Sequence, residues 1–235
     1  MSRRQDLAAN LAAVRERIAK ACDAAGRSPG DVTLVAVTKT FPASDVHLLA
    51  ELGITDVAEN RDQEAAAKAA ECRDLELTWH FVGQLQTNKA RSVVSYADVV
   101  HSVDRARLVK ALSRAAVDAE RSVRCLIQVS LDEAASHEEG RGGVHPDAVL
   151  ALADALDAAD ALTLGGVMAV APLGADPAPA FARLAEISHS LRAMYPAAKT
   201  VSAGMSGDME QAIVSGATHV RVGTALLGGR RAIVR

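Results

Sequence analysis

One lysine ends an apolar, β-branched segment of the sequence, and amines in that position can do covalent chemistry. The segment is LVAVTKTFP, residues 34–42, and in it Lys39 follows a predicted buried strand. Such a lysine either reaches solvent as an ordinary charge or acts as a free amine that attacks a carbonyl group. The second interpretation predicts a ligand that carries an aldehyde or a ketone.

Two later segments combine small residues with hydroxyl groups, a composition typical of loops that bind phosphate. They are SAGMSGDME (202–210) and RVGTALLGG (221–229), and each leads from a predicted strand into a predicted helix. Glycine lets the backbone approach an anion, hydroxyls donate hydrogen bonds, and exposed N–H groups at a helix start favour negative charge. We therefore expect Ser206, Gly207, Gly223 and Thr224 to form one phosphate-binding cup. For either loop alone, ordinary turn and capping roles are the alternative.

Strand and helix patterns alternate along the chain, and this alternation predicts the fold. After a helical pattern over residues 5–25, eight strand-like segments follow, and each but the last is clearly followed by a helix. Eight such units fit an α/β fold, a (β/α)8 TIM barrel with an extra N-terminal helix, forming a single domain over residues 1–235. A doubly wound open sheet is the alternative. The segments are VTLVAVT, TDVAEN, LTWHFVG, ADVVHSV, VRCLIQVS, LTLGGVMAV, KTVSAG and THVRVG.

The barrel would bring the lysine and the two small-residue loops to the same end. In such barrels the reactive groups lie at the carboxyl ends of the strands, and phosphate is commonly bound after strands seven and eight. Lys39 ends the first predicted strand, and the loops follow the seventh and eighth. An amine opposite a phosphate site indicates a phosphorylated aldehyde, and pyridoxal phosphate has both groups. A phosphosugar aldolase that uses Lys39 is another possibility.

Seven segments, taken together, resemble one known family. In chain order they are LVAVTKTFP, AEN, WHFVGQLQTNK, RGGV, GVMAV, GMSGDMEQAI and VRVGTALLG. In this combination the chain resembles the YggS/PROSC family of pyridoxal phosphate homeostasis proteins, which is similar to the amino-terminal barrel of alanine racemase. The resemblance spans essentially the whole chain and implies the same barrel.

The resemblance also implies a role for individual residues. Lys39 would hold pyridoxal 5'-phosphate through a Schiff base, and Arg221 would face the pyridine nitrogen. Ser206, Gly223 and Thr224 match the phosphate-binding positions of the family.

Two further polar residues, Asn60 and His80, match positions near the cofactor. The segment before RGGV departs from the family pattern, so no contact is assigned to residues 132–143.

The same resemblance bears on whether the protein is an enzyme. Arg221 offers only hydrogen-bond donors, which favours an unprotonated ring nitrogen and a weaker electron sink. Alanine racemase also uses a tyrosine from a second domain of its partner subunit, whereas this chain ends after its eighth predicted strand and contains only Tyr96 and Tyr195. We therefore expect a protein of vitamin B6 homeostasis, without catalytic residues, that buffers pyridoxal phosphate or delivers it to apo-enzymes. A weak pyridoxal phosphate-dependent racemase is the alternative.

Composition excludes several other classes of function. A net charge of -3 provides no field that attracts nucleic acid or an anionic membrane, and no apolar run is free of charges over a membrane's thickness. The three cysteines have no metal-ligand spacing and fit a reducing compartment. We expect a cytoplasmic monomer that binds no metal.

Overall fold

The computed structural model describes residues 2–131 and 142–229, and its centre is a closed barrel of eight parallel strands. Each strand pairs with the next in the sequence, and the eighth pairs with the first. The predicted (β/α)8 barrel is therefore confirmed, and the open sheet is excluded. The strands are β1 (Thr33–Val37), β2 (Asp56–Glu59), β3 (Thr78–Phe81), β4 (Val99–Val103), β5 (Val123–Gln128), β6 (Leu162–Met168), β7 (Thr200–Ser202) and β8 (His219–Val222).

Helices cover the outside of the barrel and alternate with the strands as predicted. The first helix precedes β1 and is the extra N-terminal helix. Among the described residues the helices are α1 (Arg3–Ala24), α2 (Ala43–Glu51), α3 (Asp62–Glu71), α4 (Ala90–Val94), α5 (Ala106–Asp118), α6 (Val149–Asp157), α7 (Pro177–Met194), α8 (Met209–Val214) and α9 (Thr224–Leu227).

The N-terminal helix α1 has a clear start and one buried face. Ser2 and Gln5 form a capping box, in which each side chain accepts a hydrogen bond from the other residue's backbone N–H. Leu7, Leu11 and Val14 recur at helical spacing and are buried, so they form an apolar stripe. This stripe packs against α8 and α9, the helices that follow the last two strands.

The interior of the barrel combines apolar and polar side chains. Val99, Leu126 and Met168 form a small cluster that is separate from the main core between strands and helices. His101 lies two residues after Val99 in β4 and therefore faces the same side of the sheet. Its ring reaches Ser202 of β7, a strand that is not its neighbour, so the contact crosses the barrel interior.

Of residues 132–143, the segment to which no contact was assigned, residues 132–141 lie outside the described ranges, as does the tail 230–235. In the described part of the chain, no helix is long and apolar enough to cross a membrane. All three cysteines are buried free thiols.

Candidate functional site

Lys39 lies in a tight turn directly after β1. The turn is closed by the Phe41 N–H, which donates to the Thr38 carbonyl over 3.1 Å. Thr40 has a φ of 70°, a left-handed conformation that is rare for a β-branched residue. The lysine side chain is exposed, and the described residues form no hydrogen bond or ion pair with it. The turn therefore presents an exposed amine at the carboxyl end of the barrel.

A buried ion pair lies directly beneath this turn. Glu59, the last residue of β2, is fully buried and pairs with Lys68 of α3. The Lys68 ammonium also donates to the Thr38 carbonyl over 2.8 Å, and the Thr38 hydroxyl donates to Glu59 over 2.7 Å. The backbone next to Lys39 is thus held from two sides. Sequence reasoning missed Glu59 and Lys68, although Glu59 belongs to the AEN segment.

The two small-residue loops meet at the same end of the barrel. The backbone N–H of Ala225, in the first turn of α9, donates to the Ser206 hydroxyl over 3.2 Å. Gly204 has a φ of 87°, and a β-carbon there would lie 2.6 Å from that of Ala212. Only glycine lets the loop after β7 pack this closely. Ser206 is therefore brought beside Gly223 and Thr224, which follow β8 directly.

The extra helix α1 holds these loops from outside. Arg17 donates to the Ser206 carbonyl over 2.9 Å and pairs with Glu210 over 2.6 Å. Nearer the start of α1, Arg3 pairs with Asp45 of α2, the helix that follows the Lys39 turn. One helix thus restrains the segments after β1 and β7.

Arg221 of β8 lies below the mouth of the barrel and is only 5% exposed. It donates to the Ser202 hydroxyl over 2.6 Å and to the Ala169 carbonyl over 2.9 Å. Burial lowers the pKa of Arg221 to about 10, so the guanidinium remains a cation at neutral pH. The residue is a fixed donor, and two of its five N–H groups are used by these partners.

The other two predicted site residues, Asn60 and His80, lie at different depths in the barrel. Asn60 directly follows β2 at the carboxyl end and lines a cavity of about 440 Å³. His80 is buried inside the barrel, where its ring nitrogens contact Asp56 over 2.9 Å and His101 over 2.8 Å. Because both nitrogens are engaged, His80 reaches the mouth only through its neighbours. Among the described residues, its hydrogen-bond partners are therefore these two interior residues and not Lys39, Ser206 or Thr224.

The groups gathered at this end define a ligand class. The free amine of Lys39 suits an aldehyde, and the loops around Ser206 and Thr224 suit a phosphate. Arg221 suits an acceptor atom on the body of the ligand. In the described ranges no group of three or more His, Cys, Asp or Glu could hold a metal ion.

A (β/α)8 barrel with a lysine after its first strand and small-residue loops after its last two strands defines a class of proteins. The comparisons with known proteins identify that class. The chain belongs to the family described as alanine racemase, N-terminal domain, which matches residues 9–231. Within it, the chain is 45% identical to the pyridoxal phosphate homeostasis protein of Mycobacterium tuberculosis, over 97% of this chain and 95% of that protein.

Solved structures agree with this assignment. PipY of Synechococcus elongatus, solved with PLP bound, is 35% identical with a TM-score of 0.82, over 94% of this chain and all of that one. An alanine racemase of Clostridium difficile has a TM-score of 0.72 over 97% of this chain and 58% of that chain. Its identity is 13%, so that likeness shows the fold alone.

Proposed function

We propose that this protein binds pyridoxal 5'-phosphate on Lys39 and buffers the cofactor or delivers it to apo-enzymes. The observation that carries the proposal is the meeting, at one end of the barrel, of an exposed lysine after β1 and the joined loops after β7 and β8. The names of the Mycobacterium relative and of PipY with PLP bound support the same ligand.

Each group at the mouth has a part in holding the cofactor. The Lys39 amine adds to the aldehyde carbon, a C=N bond forms and water leaves. The Ser206 and Thr224 hydroxyls and the Gly223 backbone receive the phosphate. Arg221 donates to the ring nitrogen, and Asn60 lies at the same end as a polar neighbour. When bound, the cofactor supplies an electron-withdrawing ring.

We propose a carrier and not a racemase because neither of the chain's two tyrosines, Tyr96 and Tyr195, is ready to take an α-proton. Burial raises the pKa of the Tyr96 hydroxyl, and Asp62 and Glu59 add to the shift, so its ionised form is disfavoured. Tyr195 directly follows α7 and precedes β7, so it lies away from the mouth of the barrel. Its hydroxyl is bonded to Asp154 of α6. Arg221 supports the unprotonated form of the ring nitrogen, which withdraws electrons weakly.

Borohydride reduction followed by peptide mapping tests the assignment of the lysine. The purified protein should be yellow with the cofactor bound, lose its colour on reduction and carry a phosphopyridoxyl group on Lys39. Lys89 and Lys199 serve as internal controls, because both are lysines of the same chain. A stable adduct on either of them would contradict the proposal.

A second experiment separates the carrier from an enzyme. Cofactor transfer to an apo-aminotransferase is measured beside deuterium wash-in at the α-carbon of L- and D-alanine. A missing acid/base group lowers rates by about 10²–10⁴-fold, so transfer should be far faster than exchange. Racemization or exchange at ordinary enzymatic turnover would overturn the carrier proposal.

The proposal includes a cytoplasmic, monomeric protein. Three buried free thiols support a reducing compartment. Light scattering of the cofactor-loaded protein tests the monomer, and a stable dimer would contradict it.

A further inference from the structure

A continuous line of polar side chains crosses the interior of the barrel and ends at Arg221. The line starts at the amino end of the strands, which we call its foot. There the Asp56 carboxylate lies 2.9 Å from His80 Nε2, and His80 Nδ1 lies 2.8 Å from His101 Nε2. His101 Nδ1 lies 3.0 Å from the Ser202 hydroxyl, which accepts from Arg221 over 2.6 Å. We call these five residues the interior chain.

The interior chain is costly unless every member has a partner. His80, His101 and Ser202 are almost completely buried, and barrel interiors are ordinarily filled by branched apolar side chains. A buried polar group without a hydrogen bond destabilises the fold, whereas a fully bonded network makes the packing rigid and unique. The four consecutive bonds therefore indicate a positioning role that an apolar core would not provide.

The two ends of the interior chain determine the direction of its hydrogen bonds. Arg221 can only donate, so Ser202 accepts from it and has its own hydroxyl hydrogen to give to His101 Nδ1. His101 then carries its proton on Nε2 and donates to His80 Nδ1. A reversed neutral chain would place a bare His80 Nε2 against the Asp56 carboxylate, with two acceptors 2.9 Å apart.

The foot of the interior chain reaches solvent at the opposite end of the barrel. Asp56 is the first residue of β2 and lines a cavity of about 590 Å³ together with Arg15, Thr33 and Thr55. Burial alone would raise the pKa of Asp56, but hydrogen bonds from His80 and Thr55 outweigh it and lower that pKa. The interior chain thus has an ionised acceptor, Asp56, at its foot and a cationic donor, Arg221, at its other end.

We propose that Asp56, His80, His101 and Ser202 are positioning residues that hold Arg221 as a donor to the ring nitrogen of the cofactor. The proposal rests on the proposed function, because it assigns a task to the arginine beneath the bound ring. The Asp56 carboxylate makes all hydrogen bonds of the interior chain point in one direction. The interior chain thereby keeps the guanidinium from rotating away from the ring nitrogen, and the ring nitrogen does not take a proton from solvent.

A first measurement needs neither a variant nor the cofactor. Nitrogen-15 NMR of the cofactor-free protein at pH 8 reports which ring nitrogen of each histidine carries the proton. Both His80 and His101 should be neutral with the proton on Nε2. A proton on Nδ1 of either residue overturns the direction of the interior chain.

A second measurement follows the ring nitrogen itself with nitrogen-15-labelled pyridoxal phosphate. In H101L and in the smaller change S202A, the nitrogen signal should move toward that of the protonated ring, and cofactor affinity should fall about tenfold. H189L is the control, because His189 is an exposed histidine of α7 that lies outside the barrel interior. The signal in H189L should stay at the wild-type position.

The outcomes separate this proposal from the proposed function. A wild-type protein that never becomes yellow with the cofactor contradicts the function. Coloured H101L and S202A proteins with an unchanged nitrogen signal overturn the interior chain alone. S202A removes a single oxygen, so it provides the test if H101L does not fold.

Discussion

The lysine and the arginine at the candidate site are held in opposite ways. Lys39 lies in an exposed turn, and its side chain has no hydrogen-bond partner among the described residues, whereas its backbone is held by Lys68 at Thr38. Arg221 is almost fully buried, and its guanidinium itself is bonded to Ser202 and Ala169. We refer to these two regions as the lysine side and the arginine side.

The difference follows from what each group has to do. An amine that forms and releases a covalent bond must change position and charge, so only its backbone needs to be rigid. A group that orients a ring has to keep one position, and buried hydrogen bonds to a cation provide this. The four predictions below test the two sides, from the largest expected effect to the smallest.

The largest effect is expected from breaking the ion pair beneath the lysine side. K68M leaves Glu59 buried without a counter-charge, so the free energy of unfolding should fall by about 3–5 kcal/mol. Urea unfolding of the cofactor-free protein measures this change. K20M is the control, since breaking the exposed Lys20–Glu16 pair should leave the free energy of unfolding nearly unchanged. If the free energy of unfolding falls equally little in both variants, the lysine side does not depend on the buried pair.

On the arginine side, acid should destabilise the protein through its buried histidines. Burial lowers the pKa of His219 from 6.5 to about 4, with His80 adding to the shift, and burial lowers the pKa of His101 well below its ordinary value. The unfolded chain therefore binds more protons, and stability present above pH 6.5 is lost as the pH falls toward 4. His219 alone should account for up to about 3 kcal/mol.

Urea unfolding of the cofactor-free protein at pH 7 and pH 4.5 measures that loss. H219Q should reduce the difference between the two pH values, whereas H189Q, at an exposed position of α7, should not. An equal loss in all three proteins would show that His219 is not the source.

The phosphate loops should contribute to cofactor affinity at an intermediate level. Each hydrogen bond to a charged group is expected to contribute about 1.5–3 kcal/mol, so S206A and T224A should each bind pyridoxal phosphate about tenfold or more weakly. Comparison with pyridoxal isolates the phosphate contribution. T224S keeps the hydroxyl and should retain the preference, and a T224A protein that also retains it would remove Thr224 from the cup.

The smallest effect is expected from the α1 anchor of these loops. R17M removes a half-exposed pair with Glu210 and the bond to the Ser206 carbonyl, so affinity should fall by no more than about fivefold, near 1 kcal/mol. Titration with pyridoxal phosphate checks this against R4M, which breaks the exposed pair with Glu51. An R4M loss as large as that of R17M would mean that α1 acts through general stability.

Local patterns predicted the barrel and most of its mouth. All eight strand segments and the extra helix were confirmed, because apolar periodicity and helix starts are short-range signals. The positions of Lys39, Ser206 and Thr224 at the carboxyl end follow from strand order alone. That these three residues bind the cofactor stays a prediction. The same holds for cofactor binding by Asn60, Gly223 and Arg221.

The partners that hold these residues could not be predicted in the same way. Glu59 and Lys68 lie nine positions apart, and their charges would suit two solvated surface residues equally well. The interior chain joins Asp56 to Arg221 through β3, β4 and β7, and its members are widely separated in the sequence. Single histidines in apolar strands give no sign of what they contact.

The sequence by itself determined the order of strands and helices, the end of the barrel at which the lysine and the small-residue loops lie, and the family resemblance. Only the tertiary structure decided which charged groups are buried, that His80 lies inside the barrel, and how Arg221 is held. The physical reason is that periodicity and turn chemistry depend on neighbours along the chain. Burial and hydrogen bonding across a closed barrel depend instead on strands that meet only after the sheet has closed.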